Sequence, residues 1–143
     1  HGRMEILSKK PLVVLDASIN RENCRQVKDI FKSMNLSKII AVIGIPDDKD
    51  YLGAAKELQE IAEDIILTKS QNPHYHFSFF LKETLEGEGI RVVATENVAE
   101  AIELACRLAK EKDVPVCLLG TTSVVSEIYA FYKNRERESK ELQ

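Results

Sequence analysis

Asp16 ends an apolar run, Leu12-Val13-Val14-Leu15, and a short polar turn separates it from Asn20, where a charged amphipathic segment begins. A carboxylate at the carboxyl end of a buried strand can bind a nucleotide or a metal, because open α/β sheets take their ligands at that edge. It can equally serve as a turn or capping acid. Asp47-Asp48-Lys49-Asp50 sets one ammonium among carboxylates after Gly44 and Pro46. That stretch reads as a polar site loop, or as a helix start where the dipole favours acids. Gly120-Thr121-Thr122-Ser123 leads into a helix, so its backbone N–H groups could hold an anion. The plainer alternative is a glycine turn with a hydroxyl cap. His74 and His76 flank Tyr75 with no acid or thiol close in sequence, so no metal site is expected there. Cys24, Cys106 and Cys117 are odd in number and far apart, which fits core residues in a reducing compartment rather than a zinc or disulfide pattern. The chain contains neither G-x-x-x-x-G-K-[ST] nor G-x-G-x-x-G.

The elements that must position these groups alternate. Met4 to Leu7 is a short strand, and only Ser8 to Pro11 separate it from the strand ending at Asp16. A parallel crossover needs about a dozen residues, so the two strands must be antiparallel if they pair. The start of one then lies beside the end of the other, and Arg3 should meet Asp16 on one rim. Cys24, Val27, Ile30, Phe31 and Met34 follow at helical spacing, with Asn20 as N-cap. Further strands are expected at Ile39 to Ile43, Ile65 to Leu67, Ile90 to Ala94 and Val114 to Leu119. Helices are expected after Asp50, over Phe77 to Leu85, from a Thr95 cap, and from about Val124 to Tyr132. From Lys133 the chain is charged and expected to fray, so residues 1–134 form the domain and 135–143 a tail.

The predicted fold is a three-layer α/β/α Rossmann-like domain with a mixed six-stranded sheet, strand 1 antiparallel to the rest. Right-handed crossovers collect Asp16, Asp47, Lys49, Ser70, Thr95 and Thr121 on one rim. An Asp16 charge on that open rim should not serve the core, so neutralising it should cost no more than about 0.5 kcal/mol.

At 143 residues and 44% hydrophobic content, one domain can fill a core. A net charge of −3 gives no electrostatic case for nucleic acid or an acidic membrane. No apolar run approaches the roughly 20 residues of a membrane span, and His-Gly-Arg-Met-Glu is not a secretory start. A soluble cytoplasmic protein is the expectation.

In series, the motifs resemble the C-terminal domain of folylpolyglutamate and dihydrofolate synthases, in the Mur ligase superfamily. That family reads Pro-Gly-Arg, a short strand, then Asp-Gly-Ala-His-Asn-Pro; here stand Gly2-Arg3 and Asp16-Ala17-Ser18-Ile19-Asn20. Its Gly-x-x-x-Asp-Lys-Asp stretch is matched by Gly44 and Asp48-Lys49-Asp50, and its Leu-Thr and Asn-Pro loop by Leu67-Thr68 and Asn72-Pro73. Its Gly-Ser-x-x-x-x-Gly-Glu is echoed by Gly120-Thr121 and Ser126-Glu127. The resemblance covers nearly the whole chain, in order. Each motif is weak alone; the series is fairly specific.

The resemblance implies an ATP-dependent amide-bond ligase adding glutamate to a folate-type carboxylate. ATP activates that carboxylate as an acyl phosphate, which an amine attacks. The phosphate loop and magnesium ligands belong to an N-terminal P-loop ATPase domain of the same protein. ATP and Mg2+ are then cofactors of the full-length enzyme, with neither held by this chain alone. Arg3 and Asp16 match residues that contact nucleotide; a guanidinium suits phosphate and a carboxylate suits ribose hydroxyls. Lys49 and Thr121, Thr122 and Ser123 fall on the amino-acid side. The chain departs from the pattern at His1, Ala17, Ile19 and Arg21, which replace proline, glycine, histidine and proline. Isoleucine cannot donate to a phosphate. The alternative is therefore a degenerate, non-catalytic module of this type, fused or not to another folate-pathway enzyme. Because the chain begins inside the motif, a fragment cut at a domain boundary is expected.

Overall fold

A computed structural model describes residues 2–17, 20–77 and 80–142. The apolar runs are strands buried on both faces, which is why they carry little alternation. In chain order the elements are β1 (Glu5–Lys9), β2 (Leu12–Asp16), α1 (Arg21–Ser33), β3 (Ile39–Gly44), α2 (Tyr51–Leu58) and β4 (Ala62–Leu67). There follow α3 (Phe80–Gly87), β5 (Val92–Ala94), α4 (Val98–Lys112), β6 (Val116–Gly120) and α5 (Thr122–Glu141). The strand order is β1-β2-β6-β3-β4-β5. β1 pairs antiparallel with β2 and every other pairing is parallel. The expected mixed sheet is therefore present.

Successive residues of each strand face opposite layers. Val14, Ala41, Ile43, Cys117 and Leu119 pack under α1 and α2, against Cys24, Val27, Phe31 and Leu58. Val13, Leu15, Ile40, Val42 and Leu118 pack under α4 and α5, against Val98, Ile102, Val124 and Ile128. Fully burying one such leucine or isoleucine stabilises by about 1.5–3 kcal/mol. The small residues Ala101, Ala105 and Ala109 on the inner side of α4 let that helix approach the sheet closely.

Boundaries differ from the sequence reading in instructive ways. β1 extends to Lys9, leaving Lys10 and Pro11 as the whole turn. β4 begins at Ala62 because its first residues alternate and its later ones are buried throughout. Part of the Phe77–Leu85 helix lies outside the described residues; the described helix runs Phe80–Gly87. Asn20 caps α1 as expected, its Oδ1 accepting the Asn23 N–H at 2.9 Å. Asn97, not Thr95, caps α4, accepting the Glu100 N–H at 2.9 Å. The Thr95 hydroxyl instead donates to the Leu67 carbonyl at 2.9 Å, closing the end of β4. The last helix does not stop near Tyr132 but continues to Glu141, since its charged stretch lacks glycine and proline.

Inserting β6 between β2 and β3 creates the switch that positions the site. The register sets Asp16 opposite Leu119 and Gly44 opposite Gly120, so three strands end together. A Cβ on Gly120 would stand 2.7 Å from Val124 Cγ1 and 2.9 Å from the Gly44 carbonyl. A Cβ on Gly44 would stand 2.9 Å from both Val124 methyls. Two glycines thus let the first turn of α5 sit directly on the strand ends.

Candidate functional site

The rim where β2, β6 and β3 end is built from the N-terminal segment inward. Residues before β1 fold over the end of β2: the Ala17 N–H donates to the Gly2 carbonyl at 2.6 Å. Asp16 is 0% exposed. Its Oδ2 accepts the Arg3 Nε–H at 3.0 Å and the Met4 backbone N–H at 3.0 Å. Met4 has φ 46, a left-handed conformation that a non-glycine residue adopts only at a cost. The Asp16 carboxylate offsets that cost by accepting the amide the conformation turns inward.

Arg3 and Asp16 meet on one rim, as the antiparallel hairpin required. Their partnership differs from the expected exposed pair, however. Asp16 is wholly covered, while the Arg3 side chain is 48% exposed. Gln26 of α1 accepts from Arg3 Nη2 at 3.2 Å, so two bonds orient a guanidinium that stays about half exposed. Glu5 Oε1 accepts the Tyr129 hydroxyl at 2.6 Å, which ties the segment to α5. That hydrogen bond to a carboxylate, with some burial, raises the Tyr129 phenol above its ordinary 10. The surface-charge expectation for Asp16 is corrected: its carboxylate is a buried cap of the Gly2–Met4 turn.

Beside it opens a cleft of about 340 Å³, lined by Ala17, Asp48, Lys49, Tyr75, Gly120, Thr121 and Thr122. Its floor is the N-terminus of α5. Thr121 takes the N-cap position, yet its hydroxyl makes no cap bond. Thr121 Oγ1, Ser123 Oγ and Thr68 Oγ1 are buried, and none has a hydrogen-bond partner among the described residues. Buried hydroxyls are normally satisfied, which sets apart the Thr121 and Ser123 hydroxyls at the start of α5. Exposed Lys49 adds a cation at the mouth. Lys49, Thr121 and Thr122 thus share one cleft, with Ser123 in the next position beneath it.

The rest of the acidic loop is structural. Asp50 caps α2 through the Gly53 N–H at 3.1 Å and also accepts the Arg21 N–H at 3.2 Å. Asp47 Oδ2 lies 2.8 Å from His76 Nδ1. Among the described residues, no group of three or more His, Cys, Asp or Glu is placed to hold a metal ion. Burial raises the Cys117 thiol well above its ordinary 9.0 and raises Cys106 too, as fits core residues. Ile19 lies outside the described residues.

Sequence reasoning missed Gln26, Tyr75 and the bonds made by Glu127. Gln26 is one polar residue on a solvated helix face, and nothing in its spacing marks it. Tyr75 sits in a loop held both by local bonds from Asn72 and by contacts to Glu127 and Asp47 that are distant in sequence. Glu127 appeared only as a motif match, without a role.

An α/β/α sheet with a leading antiparallel strand and otherwise parallel pairing defines a domain of the doubly wound class. The model of the family described as Mur ligase, glutamate ligase domain, matches residues 2–121, and the chain belongs to that family. It is 28% identical over 130 residues to a probable bifunctional folylpolyglutamate synthase/dihydropteroate synthase of Haloferax volcanii, covering 88% of this chain and 15% of that protein. It is 27% identical over 128 residues to the dihydrofolate synthase/folylpolyglutamate synthase of Escherichia coli, covering 89% and 29%. Among solved structures, E. coli FolC in complex with DHPP and ADP superposes with a TM-score of 0.80 at 24% identity, over 94% of this chain and 32% of that one. Mycobacterium tuberculosis folylpolyglutamate synthase complexed with ADP and AMPPCP does so with 0.80 at 19%, over 92% and 32%. These likenesses identify the fold as that of the C-terminal domain of such ligases. The chain spans less than a third of the length of these relatives.

Proposed function

We propose that this chain is the C-terminal domain of an ATP-dependent amide-bond ligase that adds glutamate to a folate-type carboxylate. The observation that carries the reading is Arg3, oriented by Asp16 and Gln26 on the rim beside the cleft. A half-exposed guanidinium fits nucleotide phosphate. Asp16 is covered in this arrangement, so its part in nucleotide binding is to aim Arg3 and fix the turn around it. Lys49 and the α5 N-terminus, with the Thr121, Thr122 and Ser123 hydroxyls, suit a carboxylate of the incoming amino acid.

ATP supplies the phosphoryl group that activates the acyl substrate. An N-terminal P-loop domain of the same protein would cradle its phosphates with Mg2+. A cytoplasmic location belongs to this reading; among the described residues, no helix is long and apolar enough to cross a membrane. In the full-length protein, Arg3→Ala should raise the KM for ATP about tenfold to a hundredfold, the loss of one or two charge-assisted bonds. The KM for glutamate should stay unchanged. An ATP dependence identical to wild type would remove Arg3 from the nucleotide site.

Ile19 favours a second reading, a non-catalytic module, because the family's histidine is replaced there by a side chain that cannot donate. A fusion is one form of it, and the Haloferax relative is itself described as bifunctional with dihydropteroate synthase. A full-length protein that turns over no ATP with a reduced folate and glutamate would select this reading.

A further inference from the structure

The loop after β4 is tied down at Ser70 and Gln71 and again at His76. Glu127, in the second turn of α5, accepts the Ser70 hydroxyl at 2.6 Å and the Gln71 N–H at 3.0 and 3.3 Å through its two oxygens. The Ser70 oxygen in turn accepts the Asn72 N–H at 3.0 Å. Asn72 then shapes the tip: its Oδ1 accepts the His74 N–H at 3.0 Å, and its carbonyl accepts the Tyr75 N–H at 3.2 Å. Beyond Tyr75, the His76 carbonyl accepts the Asp47 N–H at 2.9 Å. Tyr75 therefore lies between two anchors, 43% exposed, and lines the cleft together with Thr121 and Thr122.

We propose that Glu127 is a positioning residue: through Ser70 and Asn72 it holds Tyr75 as the wall that sets how closely the incoming amine fits the cleft. The proposal rests on the reading that the cleft takes that amine. The chemistry favours a carboxylate at position 127. Two donors converge on it, and neither the backbone N–H of Gln71 nor the hydroxyl fixed by the Asn72 N–H can readily turn away. Glutamine would bring an NH2 group against one of them. A flat ring is a suitable wall for an aliphatic stem whose carboxylate rests on the α5 N-terminus.

The test uses the full-length protein with ATP, a reduced folate and L-glutamate. Glu127→Ala should raise the KM for glutamate about tenfold, with kcat and the KM for ATP within about twofold of wild type; Tyr75→Ala should give a similar KM rise, and the double variant should add nothing, since the two act as one unit. Glu127→Gln should recover part of the loss. An unchanged glutamate KM, an equal fall in all three constants, or a double variant whose effects multiply would each overturn the proposal. Amide hydrogen exchange over Gln71 to Tyr75 is a second readout. It should speed up in Glu127→Ala at unchanged melting temperature. If wild type shows no glutamate-dependent turnover, the reading of the cleft fails, and exchange alone decides the tether: unchanged protection would sink it.

Discussion

One carboxylate oxygen does two jobs at the rim: Asp16 Oδ2 fixes the Met4 amide and aims Arg3. Neutralising a covered acceptor of this kind removes charge-assisted bonds, so Asp16→Asn should destabilise by about 1–3 kcal/mol. Thermal unfolding of the variant measures this directly; a melting temperature equal to wild type would mean the turn is held by other contacts. That Arg3 and Asp16 meet was legible in the sequence, because a four-residue connection leaves only the antiparallel hairpin. That Asp16 is covered was not legible. Covering it depends on the left-handed Met4 and on Ala17 bonding back to Gly2, and neither leaves a mark in residue type or spacing. Thr121 was read as a site candidate or a cap; only coordinates distinguish a hydroxyl that caps from one left without a partner.

At the scale of elements, the outer faces of α1 and α2 are stitched by charge. Lys28 donates to Glu57 at 2.8 Å and Glu60 at 2.9 Å, Lys32 reaches Glu60 at 2.8 Å, and Arg21 and Arg25 approach Glu57. Lys32 and Lys28 together hold the Glu60 carboxyl down from its ordinary 4.5 to about 2, and Lys28 lowers Glu57. A depressed carboxyl stabilises the fold above its unfolded value and loses that contribution as pH falls through its folded one. The melting-temperature advantage of wild type over Glu60→Gln should hold at neutral pH and fade between 4.5 and about 2. It should also shrink in salt, because Glu60 is exposed. An advantage constant over that pH range would show that the network contributes nothing through Glu60. Lys28 carries the opposite sign: raised by the same glutamates, its contribution is complete below its ordinary 10.5 and lost at higher pH. The helices themselves were legible from apolar spacing, and the six strands from buried runs. The ends were not. Asn97 outcompetes Thr95 as a cap because Thr95 is occupied by Leu67, a partner distant in sequence.

Taken whole, the molecule offers a nucleotide one oriented guanidinium and a shallow rim. Purified alone, it should release no phosphate from ATP above a buffer blank and bind the nucleotide at about millimolar strength, about −4 kcal/mol. Phosphate release that survives repurification would overturn this, as would micromolar affinity by calorimetry. The fold class was readable in the alternation of strands and helices, the antiparallel leading strand in the short Ser8 to Pro11 connection, and the family in the order of the motifs. The layout of the cleft was not, since it needs the loop carrying Tyr75 and the first turn of α5 to close on one another across the sheet.

The place of β6 has a consequence for how the chain reaches this state. β1 and β2 make a hairpin, and β3, β4 and β5 pair in sequence, but nothing in the sheet joins those two blocks until β6 enters between them. Val116 pairs with both Val13 and Ile40, contacts that span most of the polypeptide and close its longest loops. Until β6 inserts, the two blocks share no strand pairing, and β2 and β3 each keep a bare edge. The rim bearing Arg3, Lys49 and Thr121 comes together only when β6 and the first turn of α5 are in place, so the sheet and the candidate site are completed together.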